Sequence, residues 1–270
     1  MRISCSSQSF DRQFLNKKMD LFGFIRYAAE TLRIPCVELE DKHFEGTSPA
    51  YLKGIRAEVE RCRISVANLA FFCSFGYPTR GENDAELSRA TQWMEAARAL
   101  GSPNFRIFAG WMGGNDPEIG RKGPAVPKPD AAWKTMIGYV QAACDKARGF
   151  GLNVVIENHN HGGFLSYSHE VLKLFEQAAR DNLSLLLDTG NYVDDLDGIR
   201  KTVHLVKHHV HLKAGDIRED GRDRMYDFDA TLAILEKRGF QGSLSIEYEG
   251  TQDEFDCLPR LVSYLKSRTP

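Results

Sequence analysis

Four residues that can bind a divalent metal ion end short apolar runs in the second half of the chain. The runs are Val-Val-Ile-Glu157, Leu-Leu-Leu-Asp188, His209-Val-His211 and Leu-Ser-Ile-Glu247. The four candidate ligands are separated by 31, 23 and 36 residues, which is about the length of one strand-plus-helix unit. Because active sites of α/β barrels form at the carboxyl ends of the strands, this spacing predicts that the four side chains share one mouth.

Three carboxylates and one imidazole form a ligand set of intermediate softness. Such a set suits manganese, cobalt or magnesium and can also hold zinc. One divalent ion bound there would chelate adjacent carbonyl and hydroxyl oxygens of a substrate, polarise the carbonyl and stabilise an enediolate. The chemistry indicated is removal of a proton from the carbon next to a carbonyl.

Two of these candidates have a rival on the same strand, because side chains alternate between the two faces. His209 shares a face with His211, and Glu249 shares a face with Glu247. A residue at the very end of a strand reaches the mouth, which favours His211 and Glu247 as ligands.

Apolar runs alternate with stretches of helical period along the whole chain. The predicted strands are 2–6, 35–40, 64–71, 105–110, 153–158, 183–188, 209–213 and 243–248. The predicted helices are 18–32, 49–61, 84–100, 130–150, 167–180, 194–206, 227–238 and 255–266. Eight such units predict a single (β/α)8 TIM barrel domain over residues 1–270, with an open doubly wound sheet as the alternative.

Two observations favour the closed barrel. The first strand is followed by Cys5-Ser-Ser-Gln-Ser rather than by the glycine-rich dinucleotide-binding motif of a doubly wound sheet. The candidate ligands also lie on four consecutive strands, which a barrel aims at one point. One segment, 111–128, is rich in glycine and proline and longer than most strand-to-helix loops. It is interpreted either as a lid or substrate wall or as a surface excursion.

Composition limits the classes of partner. The 270 residues are 42% hydrophobic and 27% charged, with a formal net charge of −2, so a nucleic-acid partner is not expected. The amino terminus lacks the apolar core of a secretory signal, and the chain lacks a membrane-length apolar run. The six cysteines are dispersed, as expected for reduced core residues. These features predict a cytoplasmic protein without a membrane partner.

The motifs around the candidate ligands resemble the xylose isomerase-like TIM barrel superfamily, specifically its sugar phosphate isomerase/epimerase branch. They are Ile-Glu157-Asn-His159, Leu-Asp188-Thr-Gly-Asn191, Val-His211-Leu-Lys213 and Ser-Ile-Glu247-Tyr-Glu249, supported by segments 37–40, 95–101 and 105–110. The resemblance covers essentially the whole chain. It implies that Glu157, Asp188, His211 and Glu247 hold the metal ion. It also implies that Glu157 and Glu247 exchange a proton with opposite faces of the substrate.

Five further residues are predicted to bind the substrate. His159 and Asn191 would contact substrate hydroxyls, with hydrogen bonding of His159 to backbone groups in the mouth as the alternative. Lys213 would stabilise negative charge on the enediolate or form a structural ion pair inside the barrel. Arg106 would hold a carboxylate or phosphate, because a guanidinium presents a planar fork to either anion, or it would form an ion pair within the barrel. Trp111 is expected to line the pocket.

The leading functional hypothesis is a divalent-metal-dependent isomerase or epimerase of a small carbohydrate. The alternative is a lyase or dehydratase on the same scaffold, acting on a keto-sugar, a keto-inositol or a 3-keto-glycoside. A DNA repair enzyme like endonuclease IV is disfavoured, because that enzyme needs histidines on its early strands and the run Ser65-Val-Ala-Asn-Leu-Ala-Phe-Phe has none. Barrels of this group often pair, so a homo-oligomer is also compatible with the resemblance.

Overall fold

A computed structural model describes residues 1–114 and 127–268. Its eight strands are β1 Arg2–Ser6, β2 Cys36–Glu40, β3 Ser65–Ala70, β4 Asn104–Phe108, β5 Asn153–Glu157, β6 Leu183–Asp188, β7 Val206–Ala214 and β8 Ser243–Tyr248. All neighbouring strands pair in parallel, and β8 pairs with β1 to close the barrel. The predicted (β/α)8 TIM barrel is therefore confirmed.

Helices follow the strands around the outside of the barrel. They are α1 Asp11–Leu15, α2 Leu21–Tyr27, α3 Pro49–Arg61, α4 Arg80–Leu100, α5 Asp130–Gly149, α6 Ser168–Ala178, α7 Asp195–Thr202, α8 Phe228–Arg238 and α9 Glu254–Arg268. Helix α2 continues as a wider helical turn over Ala28–Leu32, and short 3₁₀ segments cover Ser7–Phe10, Asp41–His43 and Val203–Leu205. No helix in the two described ranges is long and apolar enough to cross a membrane.

Alternation along the strands separates the hydrophobic core from the functional mouth. On β7, Val210 and Leu212 belong to the main hydrophobic cluster, whereas His209, His211 and Lys213 between them are buried polar residues. The same pattern recurs on β8, where Leu244 and Ile246 join that cluster and the intervening positions are polar. The apolar face of each strand packs against the helices, so the polar face is left for the barrel interior.

One difference from the predicted elements bears on the site. Strand β7 runs over nine residues, longer than the predicted 209–213, and pairs with both β6 and β8.

The sequence interprets segment 111–128 as a lid, a substrate wall or a surface excursion, and its residues 115–126 lie outside the described part of the chain. The six cysteines are free, as predicted.

His43 joins the loop after β1 to the end of β2. Its Nδ1 lies 2.8 Å from Ser7 Oγ, and its Nε2 lies 3.0 Å from Asp11 Oδ1. Because the Ser7 oxygen accepts the backbone N–H of Glu40, its hydroxyl is free to donate to Nδ1. The imidazole therefore ties together two strand ends next to the mouth.

The buried His43 is expected to make folding stability depend on pH. Burial lowers its pKa to about 4, although Asp11 partly offsets the effect. Below the ordinary pKa of about 6.5, the imidazole is protonated in the unfolded chain but stays neutral in the folded chain. The free energy of unfolding therefore decreases as the pH is lowered. For His43→Gln, we expect the loss of unfolding free energy between pH 7 and 5 to be smaller by about 2 kcal/mol. Urea unfolding at both pH values measures it, and equal losses in the two proteins would contradict the assignment.

Candidate metal centre

The ends of β5, β6, β7 and β8 bring the four predicted ligands together. Glu157, Asp188, His211 and Glu247 each offer one ligand atom, and these atoms all lie within 4.8 Å of one another. The His211 Nδ1 atom is 3.5 Å from Glu157 Oε1, 3.4 Å from Glu247 Oε1 and 4.0 Å from Asp188 Oδ2. All four side chains are buried. We call these four residues the quartet.

Strand register explains why the quartet converges. Asp188 is the direct partner of His211 across β6 and β7. Across β7 and β8, Lys213 is opposite Glu247. His209 is opposite Ser243 at the start of β8, which places it deeper in the barrel than its rival. The structure therefore brings His211 into the quartet and leaves His209 beneath it.

The quartet fits a divalent cation. Within the part of the chain that the structure describes, His211 Nδ1 is buried and has no hydrogen-bond partner, whereas the buried Asp188 Oδ2 forms an ion pair with the Lys213 ammonium at 3.1 Å. Leaving a buried polar atom unpaired costs about 1–3 kcal/mol, so the His211 Nδ1 atom, which faces the three carboxylates, needs a partner. The other oxygen of Asp188 accepts the Gly190 N–H at 2.8 Å, which holds the carboxylate in place. One imidazole nitrogen and three carboxylates suit a divalent metal ion.

Each glutamate of the quartet is held by a buried cation through its second oxygen. Arg106 donates to Glu157 Oε2 at 2.7 Å, and Lys213 donates to Glu247 Oε2 at 2.6 Å. The first oxygen of each glutamate remains directed at His211. The two carboxylates are thus fixed in orientation, each with one oxygen facing the centre.

Electrostatics keep both glutamates ionised. Burial alone would raise their pKa values, but as long as His211 is protonated the nearby positive charges outweigh burial: His211 and Arg106 for Glu157, and Lys213 and His211 for Glu247. The pKa of each glutamate is therefore lowered. Burial raises the pKa of Asp188 well above its ordinary value, because the ammonium of Lys213 offsets burial only in part. Two ionised carboxylates at one centre are able to accept a proton.

The quartet's cationic neighbour Lys213 is itself a permanent charge. Burial would lower its pKa, but Asp188, Glu247 and Glu249 raise it well above the ordinary value. Its Nζ lies 3.1 Å from Asp188 Oδ2 and 3.2 Å from Glu249 Oε2. At neutral pH this ammonium can stabilise negative charge but cannot serve as a base.

The guanidinium of Arg106 has protein partners on both terminal nitrogens. One bonds Glu157 and the other bonds Glu40 Oε2, each at 2.7 Å. The side chain is 3% exposed. This geometry matches the predicted ion pair within the barrel. The guanidinium binds two protein carboxylates in place of the substrate carboxylate or phosphate that the other prediction assigned to it.

Of the remaining predicted substrate-binding residues, Asn191 and His159 lie near Glu157, and Trp111 packs against His159. The Nδ2 atom of Asn191 is 3.5 Å from Glu157 Oε1. The His159 ring packs edge-on against Phe108 and Trp111, with ring centroids 4.9 and 5.1 Å apart. Burial lowers the pKa of His159 to about 4, so the imidazole is neutral at physiological pH. Trp111 is buried and packs behind His159, and it is not among the residues that line the cavity at this centre.

A cavity of about 440 Å³ opens onto this centre. Its lining residues are Gln8, Glu40, Asp41, Lys42, Phe72, Arg89, Arg106, Phe108, Glu157, His159, Lys213, Glu247 and Glu249. Ligand pockets commonly measure about 300–1,000 Å³, so the volume suits a small molecule. The lining combines charged groups with exposed aromatic surface.

Two residues of the centre were not assigned a role from the sequence. Glu38 and Glu40 both lie on β2 and are buried, with Glu38 beside His211 and Glu40 beside Arg106. The signal was present in Val37-Glu38-Leu-Glu40, where two acids share one face of an apolar strand. Buried carboxylates at such spacing need cationic or hydrogen-bonded partners.

Solved structures with the same fold include several enzymes. D-psicose 3-epimerase from Clostridium cellulolyticum, solved with D-tagatose, superimposes with a TM-score of 0.77 at 14% identity, covering 99% of this chain and 98% of that one. A 3-keto-D-glucoside 4-epimerase from E. coli gives 0.75 at 17% identity over the whole of both chains. A probable 3-DHS dehydratase from Bacillus anthracis gives 0.75 at 14% identity, also over both whole chains. At these identities the likeness establishes the fold.

Sequence comparison places the chain in a family. No curated protein sequence matches it significantly. The family model described as xylose isomerase-like TIM barrel matches residues 27–267, a range that contains the quartet and all strands from β2 to β8. The chain therefore belongs to the xylose isomerase-like TIM barrel family.

Proposed function

We propose that this protein is a divalent-metal-dependent isomerase or epimerase of a small carbohydrate. The observation that carries the proposal is the quartet, in which Glu157 and Glu247 each direct one oxygen at the centre while a buried cation holds the other. The solved structures of two epimerases that act on sugars support it through the shared fold.

The two glutamates approach the centre from different strands. Glu157 ends β5 and Glu247 lies on β8, with β6 and β7 between them in the barrel. A substrate carbon held between the carboxylates would lose its proton to one and regain a proton from the other. Such a transfer from opposite faces inverts the configuration at that carbon.

A divalent cation in the quartet would supply electrophilic polarisation of the substrate carbonyl, which makes the neighbouring C–H bond more acidic. The protein supplies the rest. Arg106 and Lys213 orient the two carboxylates and keep them ionised, and the Lys213 ammonium is available to negative charge that develops on substrate oxygen. Asn191 and His159 provide polar atoms next to Glu157 for substrate hydroxyls.

A dehydratase is the second candidate, because elimination of water from a keto compound begins with the same proton removal. The full-length superposition on a probable 3-DHS dehydratase supports this second candidate through the shared fold. In a dehydratase one group must protonate the leaving hydroxyl, and His159 is neutral near pH 7, which makes it a weak acid for that step.

A product assay in deuterated water tests the proposal. The purified protein is incubated with Mn²⁺ and a panel of free ketoses, 3-keto-glycosides and keto-inositols, and the products are identified by mass spectrometry and NMR. We expect an isomer or epimer that differs in composition from the substrate only by one solvent deuterium, bound to the carbon that receives the returning proton. Loss of water would establish the dehydratase instead, and absence of deuterium exchange across the panel would contradict proton-abstraction chemistry.

A further inference from the structure

Glu38 lies directly behind the imidazole of the quartet. Its carboxylate is fully buried on β2, and the Nε2 atom of His211 on β7 lies 2.8 and 3.0 Å from its two oxygens. Asn68 on β3 donates to Glu38 Oε2 at 2.9 Å, which fixes the carboxylate from the other side. Three strands thus contribute one hydrogen-bonded line that ends at the His211 ring.

The direction of the hydrogen bond between His211 and Glu38 determines which ring nitrogen can face a metal ion. Metal binding requires a neutral imidazole, so a bound ion would replace one of the two ring protons of His211. When Nε2–H is kept and donates to Glu38, the lone pair lies on Nδ1. Nδ1 is the nitrogen that faces Glu157 and Glu247, at 3.5 and 3.4 Å. A metal-binding histidine whose other nitrogen donates to a carboxylate is held in one tautomer and one rotamer.

A second compact group lies beneath the quartet and consists of Glu38, His209 and His211. The His209 Nε2 atom is 2.5 Å from Glu38 Oε2. This inner group has the residue types of a metal site, but its His211 nitrogen is the one that donates to Glu38. His211 cannot give Nε2 to an inner cation while that hydrogen bond is kept, so the inner group is better suited to support the ring.

We propose that Glu38 is a positioning residue that presents the Nδ1 lone pair of His211 to the metal ion of the quartet. The inference rests on the proposed function, because it assumes that the quartet binds a metal ion. It assigns a role to a buried carboxylate that lies on a strand outside the quartet. Loss of such a support typically weakens metal binding by about 10–100-fold.

Calorimetric titration with Mn²⁺ tests the role independently of turnover. The wild-type protein is compared with Glu38→Gln, which keeps the shape and an acceptor oxygen, and with Glu38→Leu, which removes the acceptor. We expect one equivalent of Mn²⁺ per chain in all three proteins, with affinity reduced by about tenfold in the first variant and about a hundredfold in the second.

Glu254→Gln provides the matched control. Glu254 is also a buried glutamate held by hydrogen bonds, from Arg12 and Gln13, but it contacts no residue of the quartet. Its variant should bind Mn²⁺ like the wild type, and near-ultraviolet circular dichroism checks that every variant is folded. If Glu38→Leu fails to fold, the comparison of Glu38→Gln with the wild type still tests the proposal.

Imidazole ¹⁵N chemical shifts give a second readout, since they report which ring nitrogen of His211 carries the proton. Zn²⁺, which is diamagnetic, replaces Mn²⁺ in this measurement. In the Zn²⁺ complex of the wild type we expect His211 to carry its proton on Nε2, and in the variants we expect a mixture of the two His211 tautomers. Unchanged affinity in folded Glu38→Gln and Glu38→Leu would overturn the role of Glu38. Two equivalents of Mn²⁺ in the wild type and one in the variants would overturn it in favour of an inner cation site. A wild type that binds no divalent ion would refute the proposed function itself.

Discussion

Exhaustive removal of divalent metal ions is expected to lower the rate of proton exchange by about a thousandfold or more. Without a cation in the quartet, the substrate carbonyl loses the polarisation that the metal ion would supply, and that contribution is worth several kcal/mol. A difference of about 4 kcal/mol in the barrier corresponds to roughly a factor of 1,000 in rate. The measurement is deuterium incorporation into the substrate found in the panel, before and after treatment with a chelator and dialysis.

Reconstitution separates loss of the metal ion from loss of the fold. One equivalent of Mn²⁺ per chain should restore the rate, while circular dichroism should be unchanged by the treatment. A mock-dialysed sample controls for inactivation during handling. Full activity in a sample whose metal content, measured by mass spectrometry, is far below one ion per chain would refute the metal-dependent mechanism.

The sequence predicts the barrel well because strand and helix periods differ and the connections are short. Strands β1, β6 and β8 and helix α3 have the predicted bounds. Polar or glycine residues flank β6 and β8, and Ser48 caps α3. Helix α4 begins at Arg80 rather than at 84, because Thr79 and Glu82 form a capping box. That signal is present in the sequence as Thr79-Arg-Gly-Glu82 and could have set the boundary.

Strand β7 shows where local pattern is insufficient. Its first residues, Val206 to His208, lack the apolar alternation of the later part and were predicted to belong to the preceding helix and its turn. Pairing of Val206 with Leu185 extends the strand instead, a contact between segments distant in sequence. The helix before it ends at Thr202. Tertiary pairing therefore overrides the weak local preference.

The quartet could be proposed from sequence because its members follow one rule, a polar residue at the carboxyl end of each successive strand. The contacts that support it follow no such rule. Glu38 and His211 are 173 residues apart, and their pairing depends on which residues reach the same depth in the barrel. The partners of Arg106 depend likewise on the positions of β2 and β5 around the closed sheet. Period-2 alternation identifies the face of a strand but not the partner across the barrel.

The same limit applies to the choice between Glu247 and Glu249, and a pair of matched variants tests it. Glu247→Gln is expected to reduce kcat/KM for deuterium exchange by about a thousandfold, because an amide neither accepts the proton nor contributes a negative charge to the quartet. Glu247 is buried, with Oε1 3.4 Å from His211 Nδ1. Calorimetry should also show weaker Mn²⁺ binding in this variant.

Glu249→Gln is the comparison, since it makes the same chemical change two residues further along the chain. The Glu249 side chain is 48% exposed and its contact with the site is an ion pair with Lys213 at 3.2 Å. Solvent screens such a partly exposed pair, so its loss should change kcat/KM by less than about tenfold and leave Mn²⁺ affinity within a factor of about three. If Glu249→Gln abolished exchange while Glu247→Gln retained it, the ligand and the proton acceptor would be Glu249. The mouth would then be centred one layer further out, closer to Lys213 than to His211.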